Sequence, residues 1–268
     1  MGSLIYKYLK LRKITPFQCY LVILAGAYFL CKCRHSVLLS GFRSECVEES
    51  MSAPSYHAHS EKGLRERNED ACMAREVGGI HLFAVAEGMG GSPEGPSAAE
   101  VAISALCSGE SVYAGSLADM AESFLARADD ALFHSHESNP VADPPAVAMT
   151  LAIVGPGGEC LVSSPGQRKV FFMPVPPGEN KGPDPNDIQD SPVLHDPGAG
   201  MHEAVLPPGF LILCSDGISE FVTDDRISEI VRERGDDLEG ACRKLVYEAF
   251  QNGSNDNLTM VLVRQPDR

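Results

Sequence analysis

Short apolar runs alternate with amphipathic stretches along most of the chain. Apolar residues spaced three and four apart predict helices at 96–107, 116–137, 237–253 and, more briefly, about 224–233. Apolar runs bounded by Gly, Pro, Asn or Asp predict buried strands at 81–86, 149–154, 159–164, 169–175, 209–215 and 257–264. This interspersed order fits two sheets covered by helices, and it fits a doubly wound sheet equally well.

Two polar stretches separate these elements. Residues 45–58 are polar and typical of a linker, and we place the linker at 45–51 and one domain at 52–266. Residues 176–200 are rich in proline and acidic residues and have no periodicity, which predicts a long surface loop.

Formal charge is distributed unevenly along the chain. Residues 1–44 hold seven Lys or Arg and no Asp or Glu, so the remainder holds 15 Lys or Arg against 37 Asp or Glu. A domain this acidic repels phosphate backbones, so we expect no nucleic-acid partner. The nine cysteines include no C-x-x-C pair, so zinc ligation is not expected either.

The basic N-terminal part, residues 1–44, contains an apolar segment. From Phe17 to Cys31 no residue has a formal charge, and basic clusters lie on both sides. A helix that spans a bilayer needs about 20 apolar residues, and residues 14–16 lengthen this stretch. We predict a single transmembrane helix at about 15–31, a membrane location and a domain that faces the cytosol. A cleaved targeting segment is the alternative, because signal peptides also combine a positive start with a short apolar run.

Four acidic motifs lie next to the predicted strands. They are GLRERNEDA at 63–71, VAEGMGG at 85–91, LCSDGISE at 213–220 and GSNDNLT at 253–259. Strands that end in a carboxylate beside Gly or Asn can bring these acids together at one sheet edge. Clustered carboxylates repel one another unless a cation lies between them, and oxygen ligands without Cys or His favour Mg²⁺ or Mn²⁺. Each motif alone is at least as typical of a simple turn.

In their order, these motifs resemble those of the metal-dependent (PPM-type) protein serine/threonine phosphatases. Members of that family show G-x-R-x-x-x-E-D, then D-G-M-G-G or D-G-H-G-G after a strand, then G-D-S-R, S-D-G followed by an acidic residue, and D-N before the last strand. Here the first motif is intact from Gly63 to Asp70, and S-D-G and D-N are intact at 215–217 and 256–257.

The resemblance implies an α+β fold, in which a central β-sandwich of two antiparallel sheets is flanked by helices on both faces. It also implies two Mg²⁺ or Mn²⁺ ions and hydrolysis of phosphoserine or phosphothreonine by a metal-activated water. By the same resemblance, Arg65 would bind the substrate phosphate, and Glu69 or Asp70 would hold metal-bound waters. The implied metal ligands are Glu87, the Gly88 carbonyl, Asp216 and Asp256, with Glu220 as a further acidic residue.

The sequence departs from the family pattern at three places. Glu87 stands where the family has the bridging Asp, and Mg²⁺ tolerates little change from near-ideal octahedral geometry at about 2.0–2.1 Å. Residues 163–169 are SSPGQRK, with Pro165 and Gly166 in place of the Gly and Asp of G-D-S-R and Arg168 retained. Residues 148–150 are AMT where the family has G-S/T-T.

Two functions are compatible with these departures. An active but slow phosphatase would use Arg65, Asp216 and Asp256 and would adapt Glu87, with Mn²⁺ preferred because its geometry is less strict. A pseudophosphatase would keep the fold as a binding or regulatory platform with impaired metal binding. We expect the first, in a monomer that acts on a phosphoprotein, because a drifting site would more easily acquire Ala, Asn or Ser than Glu.

Overall fold

The computed structural model describes two units of the chain. Its described residues are 53–89, 96–108, 115–138, 145–165, 170–175, 200–206 and 208–266, together with the backbone of 19–24 and 27–32. The units are Met1–Ser50 and Met51–Arg268. The linker predicted at 45–51 and residues 176–199 of the predicted loop lie outside the described residues.

The described part of the first unit is a pair of antiparallel strands, β1 (Cys19–Leu24) and β2 (Ala27–Lys32). The prediction of a transmembrane helix at about 15–31 is therefore wrong for these residues. Val, Ile, Tyr and Phe recur in this segment and favour extended backbone, and Gly26 in its middle disfavours a helix. Within the described ranges, every helix is too short or too polar to span a bilayer.

The described residues of the second unit form two antiparallel sheets. Sheet one has the strand order β3-β11-β10-β8, and sheet two has the order β4-β5-β6-β7-β9. The strands are β3 (Ser55–Glu61), β4 (Asp70–Val77), β5 (Ile80–Met89), β6 (Ala146–Val154), β7 (Glu159–Ser164), β8 (Val170–Pro174), β9 (Gly200–Val205), β10 (Gly209–Cys214) and β11 (Leu258–Gln265).

The helices lie close to the predicted positions. They are α1 (Ala98–Cys107), α2 (Leu117–Ser138), α3 (Asp216–Ser219), α4 (Asp224–Arg234) and α5 (Leu238–Gln251). Side chains that accept a hydrogen bond from the first turn fix four of the starts: Ser97 begins α1 with a capping box, Ser116 begins α2, Thr223 begins α4 and Asp237 begins α5. The four predicted helices correspond to α1, α2, α4 and α5, so this prediction is confirmed.

Three layers of apolar contact establish the architecture. Alternate residues of the two sheets pack between them, with Phe83 and Ala152 from sheet two and Leu213 and Val261 from sheet one. The outer face of sheet two packs on α1 and α2, and the outer face of sheet one packs on α3, α4 and α5. The protein is a β-sandwich with helices on both faces, so the doubly wound alternative is excluded.

Three strands of the second unit were not predicted, and all three lie at sheet edges. They are β3, β4 and β9. An edge strand pairs on one side only and leaves many side chains partly exposed, so it lacks the apolar run that marks a buried strand. Because β3 begins at Ser55, the polar stretch 45–58 is not a linker throughout, and because β9 begins at Gly200, the predicted loop ends before that residue.

Candidate active site

Several chain segments meet at one end of the sandwich. In sheet two, Asp70 at the start of β4 lies opposite Glu87 near the end of β5. In sheet one, the end of β3 lies opposite the start of β11, and β10 ends beside β11. The antiparallel register therefore brings three loops to this end, namely those that follow β3, follow β10 and precede β11.

The Glu87 carboxylate links the two sheets at this end. Its Oε1 accepts a hydrogen bond from the backbone N–H of Asp216 at 2.7 Å, across 129 positions of sequence. Asp216 is the first residue of α3 and follows β10 after Ser215. Because side chains alternate along a strand, Glu87 lies on the face of β5 that also directs Phe83 and Val85 between the sheets.

Arg65 and Asp256 form an ion pair above the same end. Arg65 Nη2 donates to Asp256 Oδ2 at 2.7 Å, and the two side chains are 55% and 32% exposed. The pKa of the Arg65 guanidinium is raised, first by the hydrogen bond to Asp256 and then by its charge, with smaller contributions from Glu69 and Asp216. The positive charge of Arg65 therefore lies within a group of carboxylates.

Asp70 is the most buried of these acids. Its side chain is 9% exposed, and its Oδ2 has no hydrogen-bond partner within the described structure. The pKa of Asp70 is raised to about 6, first by burial and then by the charges of Glu87 and Asp216, whereas hydrogen bonds from the Thr259 and Ser215 hydroxyls oppose the shift. A buried carboxylate oxygen without a hydrogen-bond donor is a position suited to a cation.

Asn257 fixes the loop that contains Arg65, Glu69 and the start of β4. It is 5% exposed, and its Nδ2 donates to the carbonyls of Lys62 at 2.8 Å and Arg67 at 2.9 Å. Its Oδ1 accepts the backbone N–H of Glu69 at 2.8 Å. One side chain therefore satisfies three backbone groups of residues 62–69. In the sequence, the only signal for this role of Asn257 is its place in the D-N motif directly before a predicted strand.

Two glycines allow the backbone to approach closely here. A Cβ on Gly217 would lie 1.9 Å from the carbonyl oxygen of Asn257, and one on Gly63 would lie 2.1 Å from that of Asp256. Gly63 also has φ +62°, in the left-handed region that favours glycine. The glycines of GLRERNED and SDG are therefore required by contact between the loops.

The remaining predicted site residues are less closely engaged. Gly88 donates its N–H to the Glu69 carbonyl at 3.0 Å, and the Glu69 side chain is exposed. Glu220 lies at the C-terminal end of α3 with an exposed side chain, and its N–H donates to the Asp216 carbonyl at 3.0 Å. Pro165 directly follows β7, while Gly166 and Arg168 lie outside the described residues.

The donor set fits a hard divalent cation in its chemistry. Carboxylates of Asp70, Glu87, Asp216 and Asp256 converge on one end of the sandwich, and the unpartnered Asp70 oxygen is buried beside them. The described residues nevertheless contain no group of three or more His, Cys, Asp or Glu placed to hold an ion together. Of these candidate ligands, the Glu87 and Asp256 carboxylates accept hydrogen bonds from groups of the protein itself.

Comparison with known proteins places this geometry in a wider context. The family model described as "Protein phosphatase 2C" matches residues 171–258. Protein phosphatase 1A of Homo sapiens is 30% identical over 90 residues, which are 32% of this chain and 22% of that protein. Probable protein phosphatase 2C 59 of Arabidopsis thaliana is 44% identical over 55 residues, 20% of this chain and 17% of that protein. The alignments thus span about a fifth of these relatives.

Solved structures match over a much larger part of the chain. The catalytic domain of the serine threonine protein phosphatase PstP, in complex with two manganese ions, superposes with a TM-score of 0.62 at 22% identity and covers 80% of this chain and 99% of that one. The serine/threonine phosphatase of S. agalactiae gives a TM-score of 0.60 at 16% identity, with 79% and 99% covered. This chain has the PPM-type phosphatase fold. The resemblance inferred from the motifs is confirmed.

The PPM-type fold depends at this end on Asn257, which gives a first prediction. Asn257→Ala removes the side-chain partner of three partly buried backbone groups, so it should lower the free energy of unfolding of the full chain by about 1–3 kcal/mol. Asn252→Ala is the matched control, because its exposed side chain makes one bond, to the Phe221 carbonyl. Urea denaturation measures both, and an equal loss in the two variants would contradict this role for Asn257.

The raised pKa of Asp70 gives a second prediction. An acid whose pKa is about 6 when folded and about 3.8 when unfolded loses folding stability as the pH rises from about 4 to about 6. In the presence of a chelator, Asp70→Asn should therefore gain stability over the natural chain across that interval, by about 1–3 kcal/mol above pH 7. Urea denaturation from pH 4 to 8 provides the test, and a difference independent of pH would refute it.

Proposed function

We propose that this chain is a metal-dependent phosphatase that hydrolyses phosphoserine and phosphothreonine in proteins. The observation that supports it most is the Glu87–Asp216 hydrogen bond, which joins acids 129 positions apart at one end of the sandwich. Asp70 lies opposite Glu87 in the same sheet, and Asp256 lies beside Asp216 through the contact of Gly217 with Asn257. A PPM-type fold with acids at this end is the expected setting for such a site.

The roles of the residues follow from their positions. Glu87, the Gly88 carbonyl, Asp216 and Asp256 would hold two Mg²⁺ or Mn²⁺ ions, with Asp70, Glu69 and Glu220 nearby as supporting acids. Such ions lower the pKa of a bound water and stabilise charge on phosphoryl oxygens. Arg65 presents an exposed planar guanidinium, which suits the oxygens of a phosphate monoester. Asn257 fixes the backbone of the loop that contains Arg65.

A second candidate function is supported by specific contacts. Glu87 accepts the Asp216 N–H and Asp256 is paired with Arg65, so two of the proposed ligands already have partners within the protein. A pseudophosphatase would keep these contacts and use the fold as a binding or regulatory platform. The two functions differ in whether a divalent cation can replace the internal partners.

Hydrolysis of p-nitrophenyl phosphate and of a phosphothreonine peptide by the full chain with Mn²⁺ tests the first function. Asp216→Asn should lower kcat/KM at least 100-fold, because it removes a proposed metal ligand. Glu87→Asp should raise it, because the shorter carboxylate suits a bridge between two ions. Asp225→Asn, an exposed residue of α4, is the matched control and should leave the rate unchanged.

Absence of turnover, together with absence of Mn²⁺ binding in calorimetry, would reject the enzyme and favour the pseudophosphatase. Turnover that survives Asp216→Asn would contradict the assigned site.

We further propose that residues 1–44 attach the chain to a membrane, with the larger domain on the cytosolic side. The apolar stretch 17–31 and its basic flanks support this. The full chain should float with vesicles of phosphatidylcholine and phosphatidylserine, and Leu24→Asp should weaken flotation because it places a charge in the apolar stretch. Equal flotation of both proteins, or of neither, would refute the attachment. The chain is proposed to be monomeric.

A further inference from the structure

The Arg65 guanidinium has two candidate partners, which are the Asp256 carboxylate and the substrate phosphate of the proposed function. In this structure it binds the Asp256 carboxylate at 2.7 Å. In the proposed function, Asp256 holds a divalent cation and Arg65 binds the substrate phosphate. Asp256 Oδ1 accepts the backbone N–H of Asn257 at 2.8 Å and Oδ2 accepts the Arg65 guanidinium, so a cation that binds Oδ2 competes with Arg65 for that oxygen.

The charge around Arg65 explains why the pair forms. Asp256, Glu69 and Asp216 all act on the guanidinium and favour its charged form. Without a metal ion, these acids repel one another, and a neighbouring cationic side chain relieves part of the repulsion. Arg65 supplies the positive charge that a metal ion would supply.

The local structure permits the guanidinium to move while the backbone stays in place. Asn257 fixes the loop at Lys62, Arg67 and Glu69, on both sides of Arg65. The Arg65 side chain is 55% exposed, and the neighbouring Leu64 is exposed as well. Rotation of the side chain into solvent therefore needs no change in the loop, and the lost contact is a partly exposed ion pair of modest strength.

We propose that Arg65 is a displaceable internal counter-ion: it occupies Asp256 in the metal-free protein, and a divalent cation at Asp256 displaces it, which frees the guanidinium to bind phosphate. This inference rests on the proposed metal-dependent function and adds a regulation of it. Metal binding and phosphate recognition become coupled through one side chain. Without a divalent cation, Arg65 would then stay paired with Asp256 and would not be available to bind phosphate.

Calorimetric titration of the full chain with Mn²⁺ tests the competition. Arg65→Ala removes the competing cation, so its Mn²⁺ affinity should exceed that of the natural chain by roughly two- to fivefold, the range expected for a partly exposed ion pair. Lys62→Ala is the matched control, because it removes one positive charge from the same loop and its exposed side chain is not paired with Asp256. It should change the affinity less than Arg65→Ala does.

A second measurement follows the guanidinium itself. The side-chain N–H signal of Arg65, identified by its loss in Arg65→Lys, should shift when diamagnetic Mg²⁺ is added to the ¹⁵N-labelled full chain. The corresponding signal of Arg243, which pairs with Glu239 on α5, should not shift.

The outcomes separate this inference from the function on which it rests. Equal Mn²⁺ affinity of Arg65→Ala, Lys62→Ala and the natural chain, or an Arg65 signal unmoved by saturating Mg²⁺, would overturn the counter-ion role and leave the metal-dependent function standing. Failure of all three proteins to bind Mn²⁺ would overturn both. Tighter binding by Arg65→Ala together with a shifted Arg65 signal would support both.

Discussion

Negative charge gathered at one end of the sandwich is the constraint to which the rest of the site responds. The register of β4 on β5 and of β10 on β11 fixes where the acids lie, and the apolar layer between the sheets holds them there. The protein meets this charge in three different ways. Burial favours a proton on Asp70, a backbone N–H binds Glu87, and a guanidinium binds Asp256. The proton, the N–H and the guanidinium each offset part of the negative charge that a cation would otherwise balance.

Glu87 has one methylene more than the Asp of the family pattern, and this extra length affects which group its carboxylate contacts. Its longer side chain reaches from sheet two to the N–H of Asp216 in the loop after β10, so it ties the sheets together as well as supplying a carboxylate. The hydrogen bond is accepted by Oε1 of the carboxylate. Glu in place of Asp therefore makes a structural contact and also keeps the carboxylate at the site. A slow phosphatase and a pseudophosphatase would both have this contact, and they would differ in whether the carboxylate binds a metal ion.

The sequence predicted those parts of the fold that are determined by local burial. The helices and the central strands have strong periodicity or continuous apolar runs, and they were placed to within a few residues. Edge strands β3, β4 and β9 were missed because half of their pairing partners are absent and their side chains are partly exposed. The length and basic flanks of the apolar stretch 17–31 predict a helix, whereas its β-branched and aromatic residues favour the strands found at 19–24 and 27–32. The pairing of Arg65 with Asp256 could not be predicted, because the choice between a phosphate, an acid and solvent depends on geometry rather than on spacing.

The departures from the family pattern are distributed unequally between the sheets, and this bears on function. The matched segment 171–258 includes most of β8, strand β9 at the edge of sheet two, β10 and helices α3 to α5, with both Asp216 and Asp256. Glu87 and Pro165 belong to sheet two, on β5 and directly after β7. The two acids next to sheet one, Asp216 and Asp256, thus match the family pattern, whereas the residues in or next to sheet two, Glu87 and Pro165, depart from it. In the proposed function both sheets would supply ligands, so the change in sheet two would weaken metal binding there first. Asp216 and Asp256 would still provide two carboxylates for one ion, and Arg65 is placed to compete with that ion for Asp256.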